Sequence, residues 1–176
     1  MKNYLLVFFS IASFSLCSAE MILGKEKISP GIDLIFEAAP KDTIHPQQFF
    51  RAESDTDIHI EMLANWSESS PEGSPVNGFV AYLKVYATIK SESGKEETVM
   101  LTPHLNISDN LHYAQNIKLP ASIDELYEVT FTINPPEKSD LGIHYDWNEE
   151  IGYLVTKNTF SYKGLNFKEI ALSSRR

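Results

Sequence analysis

Wherever apolar residues recur at a clear interval in this chain, the interval is two. That is the period of a β-strand, whose successive side chains point to opposite faces. "GIDLIFEA" (31–38), "DIHIEML" (57–63), "ETVMLTPHLN" (97–106), "YEVTFTIN" (127–134) and "NTFSYKG" (158–164) all read as strands. The longest run, "GFVAYLKVYATIK" (78–90), predicts Phe79, Ala81, Leu83, Val85, Ala87 and Ile89 on one face, with Val80, Tyr82, Lys84, Tyr86, Thr88 and Lys90 on the other. Val129, Phe131 and Ile133 are predicted to face inward. Breakers separate the runs: "SSPEGSPVNG" (69–78), "SESGKE" (91–96), "ISDN" (107–110) and "NPPEKSDLG" (134–142). Seven or so strands joined this way predict an all-β fold, an immunoglobulin-like antiparallel β-sandwich. The chain has one cysteine, so the buried disulfide of that architecture is absent and the likeness is architectural. "SSRR" at positions 173–176 is expected to fray.

The first 19 residues are expected to be a signal peptide rather than part of the fold. Lys2 precedes an apolar run from Tyr4 to Leu16, and Cys17 and Ala19 supply small residues before Glu20. The run is too short to span a membrane as a helix. Residues 20–176 then form a single domain without cysteine. The formal net charge is −9, and loss of Lys2 makes it one unit more negative. Such a charge disfavours nucleic acid and anionic membrane as partners and suits cations.

The chain has no glycine-rich phosphate loop, no G-x-S-x-G elbow and no H-E-x-x-H helix. What remains is histidine: His45, His59, His104, His112 and His144. Neutral imidazole and carboxylate are good ligands for copper, zinc, iron and manganese. His59 and Glu61 are two apart on a strand and share a face, so both can reach one ion, or both can belong to a solvated sheet surface. Met62 points the other way, into the core.

Together with "DIHIE" and "GFVAYLKVYATI", the stretches "DNLHYAQNIKL" (109–119) and "TFTINPPEKSDLGIHYD" (130–146) resemble, in order and spacing, the periplasmic iron-transport protein family. The resemblance covers residues 21–167. It implies a secreted protein acting beside a high-affinity iron permease of the inner membrane, with an immunoglobulin-like sandwich that forms homodimers. It also implies metal sites near the dimer interface, with copper as the ion and iron, zinc or manganese as further candidates. Carried over by motif, the metal ligands are His59, Glu61, His112 and His144. A binding protein is expected rather than an enzyme, with a redox change at bound copper compatible with it.

This chain departs from the family at two methionines. Leu105 stands seven residues before His112, and Phe49 stands ten before His59. Neither side chain ligates, so a harder site is expected, favouring Cu(II), Zn(II), Fe(II) or Mn(II) over Cu(I). His104 and His45 are the candidate replacements, with His104 expected to reach the site only if Pro103 disturbs its strand. Two other functions fit the residues: a copper or zinc scavenger unrelated to iron, and an immunoglobulin-like interaction module whose histidines are incidental.

Overall fold

The computed structural model describes residues 20–173 and Arg175. The expected signal peptide, Cys17 included, lies outside the described residues. Eight strands follow one another: β1 (Met21–Ile28), β2 (Ile32–Pro40), β3 (Ile58–Trp66), β4 (Lys84–Ser91), β5 (Glu96–Asn106), β6 (Asn110–Ile117), β7 (Leu126–Asn134) and β8 (Asn158–Asn166). Two short α-helices, α1 (Tyr145–Glu150) and α2 (Lys168–Leu172), and two single 3-10 turns, Gln47–Phe49 and Glu53–Asp55, complete the set. All strand pairs are antiparallel, in the order β1-β2-β3-β6-β5-β4-β7-β8.

β5 joins the two halves of this sheet. Its residues 96–101 pair with β4, and its residues 102–106 pair with β6. The halves fold over one another, and the apolar face of each strand meets the other half. Phe36 of β2 lies 4.4 Å from Phe131 of β7 and 5.5 Å from Phe160 of β8, centroid to centroid. Ile32, Leu34, Ile60, Met62, Val85, Ala87, Ile89, Val129 and Ile133 fill the space between, all fully buried. The outer strands nearly close the sheet into a barrel: the Tyr162 ring of β8 rests on Gly24 of β1, where any Cβ would collide with it. The Tyr162 hydroxyl donates to Glu26 at 3.3 Å.

The run at 78–90 is a strand only from Lys84. Leu83, Val85, Ala87 and Ile89 face the core as their spacing predicts. Upstream the alternation fails: Val80 is buried and Tyr82 is 55% exposed. Tyr82 has φ +68°, a left-handed conformation that interrupts the extended backbone just before β4. The turn is held by Tyr113 of β6, whose hydroxyl donates to Val80 O at 2.8 Å and accepts from Leu83 N at 3.0 Å. Tyr113→Phe leaves both backbone groups without that partner inside the core. Urea unfolding is expected to show a loss of about 1–3 kcal/mol.

Candidate metal centre

β3 is central in its half of the sheet, between β2 and β6. One of its faces, Ile58, Ile60 and Met62, packs in the core. His59 and Glu61 occupy the other, which the sequence left open as a solvated surface. It is not one: His59 is 3% exposed and Glu61 is fully buried. The segment between β2 and β3 runs back over this face and excludes water from it.

Register brings the remaining groups to the same face. Asp57, just before β3, accepts from Leu119 N and Lys118 Nζ at 2.9 Å each and pins the start of β3 to the end of β6. His59 then stands opposite Asn116, Glu61 opposite Ala114, and His112 opposite His104 of β5. Period two along β6 keeps His112, Ala114 and Asn116 on one side. One ring nitrogen from each of His59, His104 and His112 lies within 4.8 Å of the other two.

His104 arrives by ordinary alternation. β5 continues through Pro103, which pairs with Tyr113, and needs no bulge to turn His104 inward. Proline is tolerated because this part of β5 has a partner on one side only. Leu105 alternates to the other side of the strand and is 71% exposed, at the rim of the cavity that the histidines line. The second methionine position behaves alike: Phe49 is 75% exposed, and its neighbour Phe50 packs edge-on against His104 at 5.1 Å. His45 is exposed but lines the same cavity of about 430 Å3 as the three histidines. His144 is not with them. It is exposed just before α1 and lines a separate, apolar cavity with Trp66, Trp147 and Leu154.

The protonation pattern follows from the partners. Asn116 donates from Nδ2 to the carbonyls of Asp42 and Arg51, at 2.7 and 3.1 Å, which leaves its Oδ1 as an acceptor. His59 Nδ1 is 2.8 Å from that oxygen and carries the ring proton. His112 Nδ1 donates to Asn110 O at 3.0 Å. In the neutral rings Nε2 is therefore the atom left with a lone pair. Both Nε2 atoms face Glu61, with His59 Nε2 at 3.6 Å from Oε1 and His112 Nε2 at 3.9 Å from Oε2. Glu61 Oε2 is buried and has no hydrogen-bond partner among the described residues. Ring nitrogens beside a buried carboxylate, one of whose oxygens is unsatisfied while the other accepts from Arg175, form a pocket of acceptors that a cation would complete.

Burial pushes the His59 imidazole down to about 3, and burial together with His112 pushes His104 down to about 4. Burial pushes the Glu61 carboxyl up to about 8, opposed by the Arg175 guanidinium and reinforced by Glu20, Asp109 and Glu37. A proton can thus stand on Glu61 near neutral pH, while His59 and His104 stay neutral and able to ligate.

Sequence reasoning missed Asn116 and Arg175. Asn116 had a signal, since alternation from His112 puts it on the same face. Arg175 had none. Expected to fray with "SSRR", it is anchored instead, with its side chain 19% exposed and Nη2 2.6 Å from Glu61 Oε1.

Asn116→Ala removes the acceptor that holds the His59 tautomer and a donor to two buried carbonyls. Metal affinity, read by competition titration, is expected to fall about 10–100-fold. A second expectation concerns pH. Metal binding displaces the Glu61 proton, so affinity rises with pH up to about 8. Glu61→Gln removes that proton and is expected to lower the slope of log K against pH by about one between about pH 5 and 7.5. In the metal-free protein the signs oppose. The His59 and His104 contributions to stability are complete above their ordinary 6.5 and are lost as pH falls toward about 3 and 4. The Glu61 contribution is complete below 4.5 and is lost as pH rises toward about 8.

The chain is 30% identical over 124 residues to the 34 kDa membrane antigen of Treponema pallidum, a match covering 64% of this chain and 59% of that one. It is 24% identical over 148 residues to a UPF0423 protein of Brucella abortus, covering 82% and 80%. Among solved structures, the copper-reconstituted P19 protein from Campylobacter jejuni superposes with a TM-score of 0.69 at 25% identity, covering 82% of this chain and 94% of that one. Residues 17–168 match the family described as Fe2+ transport protein, and the chain belongs to that family.

Proposed function

We propose that this chain is the periplasmic metal-binding component of a high-affinity iron-uptake system, with copper held by His59, His104, His112 and Glu61. The observation that carries this reading is the convergence of three imidazoles beside the buried Glu61 carboxylate, whose Oε2 has no hydrogen-bond partner among the described residues and lies 3.9 Å from His112 Nε2. Three imidazoles and one carboxylate suit borderline first-row ions, copper above all in intrinsic affinity. The likeness to a copper-reconstituted protein points to the same ion. Three converging imidazoles argue against a module with incidental histidines.

The finer parts of the reading follow. The two packed halves make an immunoglobulin-like sandwich, supported by Tyr127, near the start of β7, whose hydroxyl donates to Ser122 O five residues upstream. This is the tyrosine corner of such folds. The protein acts as a homodimer, and His144 completes the site of the partner subunit. Its position supports this: Ile143 and Tyr145 on either side of it are 40% and 80% exposed, and His144 joins no cluster of metal-ligating groups among the described residues. The loaded protein delivers its ion to, or sets its redox state for, an inner-membrane iron permease.

Thermal unfolding with chelator and then with Cu(II), Zn(II), Fe(II) or Mn(II) tests the reading. Cu(II) is expected to raise Tm clearly in the wild type and not in His59→Ala with His112→Ala. His144→Ala is expected to reduce the shift at protein concentrations where the dimer forms. No stabilisation by any metal would refute the proposed function.

A further inference from the structure

The imidazole cluster is bordered by a second group. Glu20, Glu61 and Asp109 each present a carboxylate oxygen within 4.8 Å of the others, and Glu61 also approaches His59 Nε2 at 3.6 Å and His112 Nε2 at 3.9 Å. The carboxylates already have a cation, supplied by the chain itself. Arg175 Nη2 lies 2.6 Å from Glu61 Oε1 and 3.8 Å from Glu20 Oε1, and Nη1 lies 3.9 Å from Asp42 Oδ2. Its Nε donates to Pro40 O at 3.2 Å, which fixes the plane of the guanidinium. Arg175 has crossed from beyond α2 to β2 and β3 to reach this position. A delocalised cation with several donors in one plane is well suited to bridging carboxylates at low exposure.

We propose that Arg175 is a specificity-determining residue: a tethered cation that holds Glu61 against hard divalent ions and leaves the imidazole cluster to ions that bind nitrogen. The inference rests on the metal-binding reading above. An ion such as Mn(II) draws its affinity mainly from carboxylate oxygens, so it must displace the guanidinium or accept a positive charge beside it. Cu(II) draws most of its affinity from imidazole and pays less for sharing Glu61 with Arg175. Arg175 therefore widens the gap between the two ions. The coupling is reciprocal, so a hard ion that takes Glu61 must loosen Arg175.

The test is a competition titration of Cu(II) and Mn(II) on wild type, Arg175→Gln and Arg175→Lys, with Mn(II) also read by electron paramagnetic resonance. Arg175→Gln is expected to bind Mn(II) at least about tenfold more tightly while Cu(II) affinity changes less than about threefold. Arg175→Lys, which keeps the charge, is expected to stay close to wild type. The Arg175 Nε–H resonance is expected to shift when wild type is loaded with Zn(II) at a concentration that engages Glu61. Cu(II) binding with an unchanged or weakened Mn(II) affinity in Arg175→Gln would overturn the role of Arg175 and leave the metal-binding reading standing. A wild type that binds neither ion would overturn both.

Discussion

A carboxylate sealed from water, facing two ring nitrogens that carry no proton, is the constraint around which this molecule is arranged. Such a group is costly to bury unless something positive meets it. The structure offers Glu61 three such partners in turn. One is the proton implied by a carboxyl pushed up to about 8. Another is the Arg175 guanidinium at 2.6 Å. The third is the metal ion that we propose for this centre, which Glu61 and the imidazoles would share. The three compete for the same oxygens, so acidity, metal occupancy and the anchoring of Arg175 are linked quantities.

The rigidity of the centre comes from the sheet and not from the loop that covers it. His59, Glu61, His104 and His112 stand on three adjacent strands with matched register, and their opposite faces are locked into the apolar core. The covering segment has no regular ladder of its own to fix it. It is tied down through Asn116, which holds the carbonyls of Asp42 and Arg51 with one end and the His59 ring with the other. One buried amide thus sets both the closure of the pocket and the tautomer of a ligand. Metal sites depend on such outer partners to aim the lone pairs of their ligands.

The sequence made this half of the architecture legible because a strand declares its faces by alternation. β2, β3, β5, β7 and β8 were readable, and His59 and Glu61 were correctly put together. β6 was harder to see as a strand because the face it turns to the site carries His112, Ala114 and Asn116 in place of an apolar series. At β4 the pattern persisted past the true strand end, because the left-handed backbone at Tyr82 leaves no mark in hydropathy. What alternation cannot give is what covers a face. Glu61 and His59 look the same in sequence whether water or chain lies over them. Here the cover comes from an irregular segment and from an arginine more than 100 residues away, since Arg175 and Glu61 are separated by 114 positions.

The loss of methionine has a structural answer that spacing alone pointed away from. At position 105 an exposed leucine stands at the rim of the histidine cavity and offers no ligand atom. His104 sits one residue earlier on the inward face and puts a nitrogen where the histidines converge. Met62 is spent in the core, and Met100 lies exposed on the part of β5 that pairs with β4. Among the described residues the centre therefore has nitrogen and oxygen donors and no sulfur. Removing a soft donor while adding imidazole shifts the preference from cuprous toward cupric copper and other divalent ions. It also brings harder competitors within range of the same pocket. A fixed positive charge on the carboxylate that faces the imidazoles matters most in just such a site, because there sulfur no longer discriminates between ions.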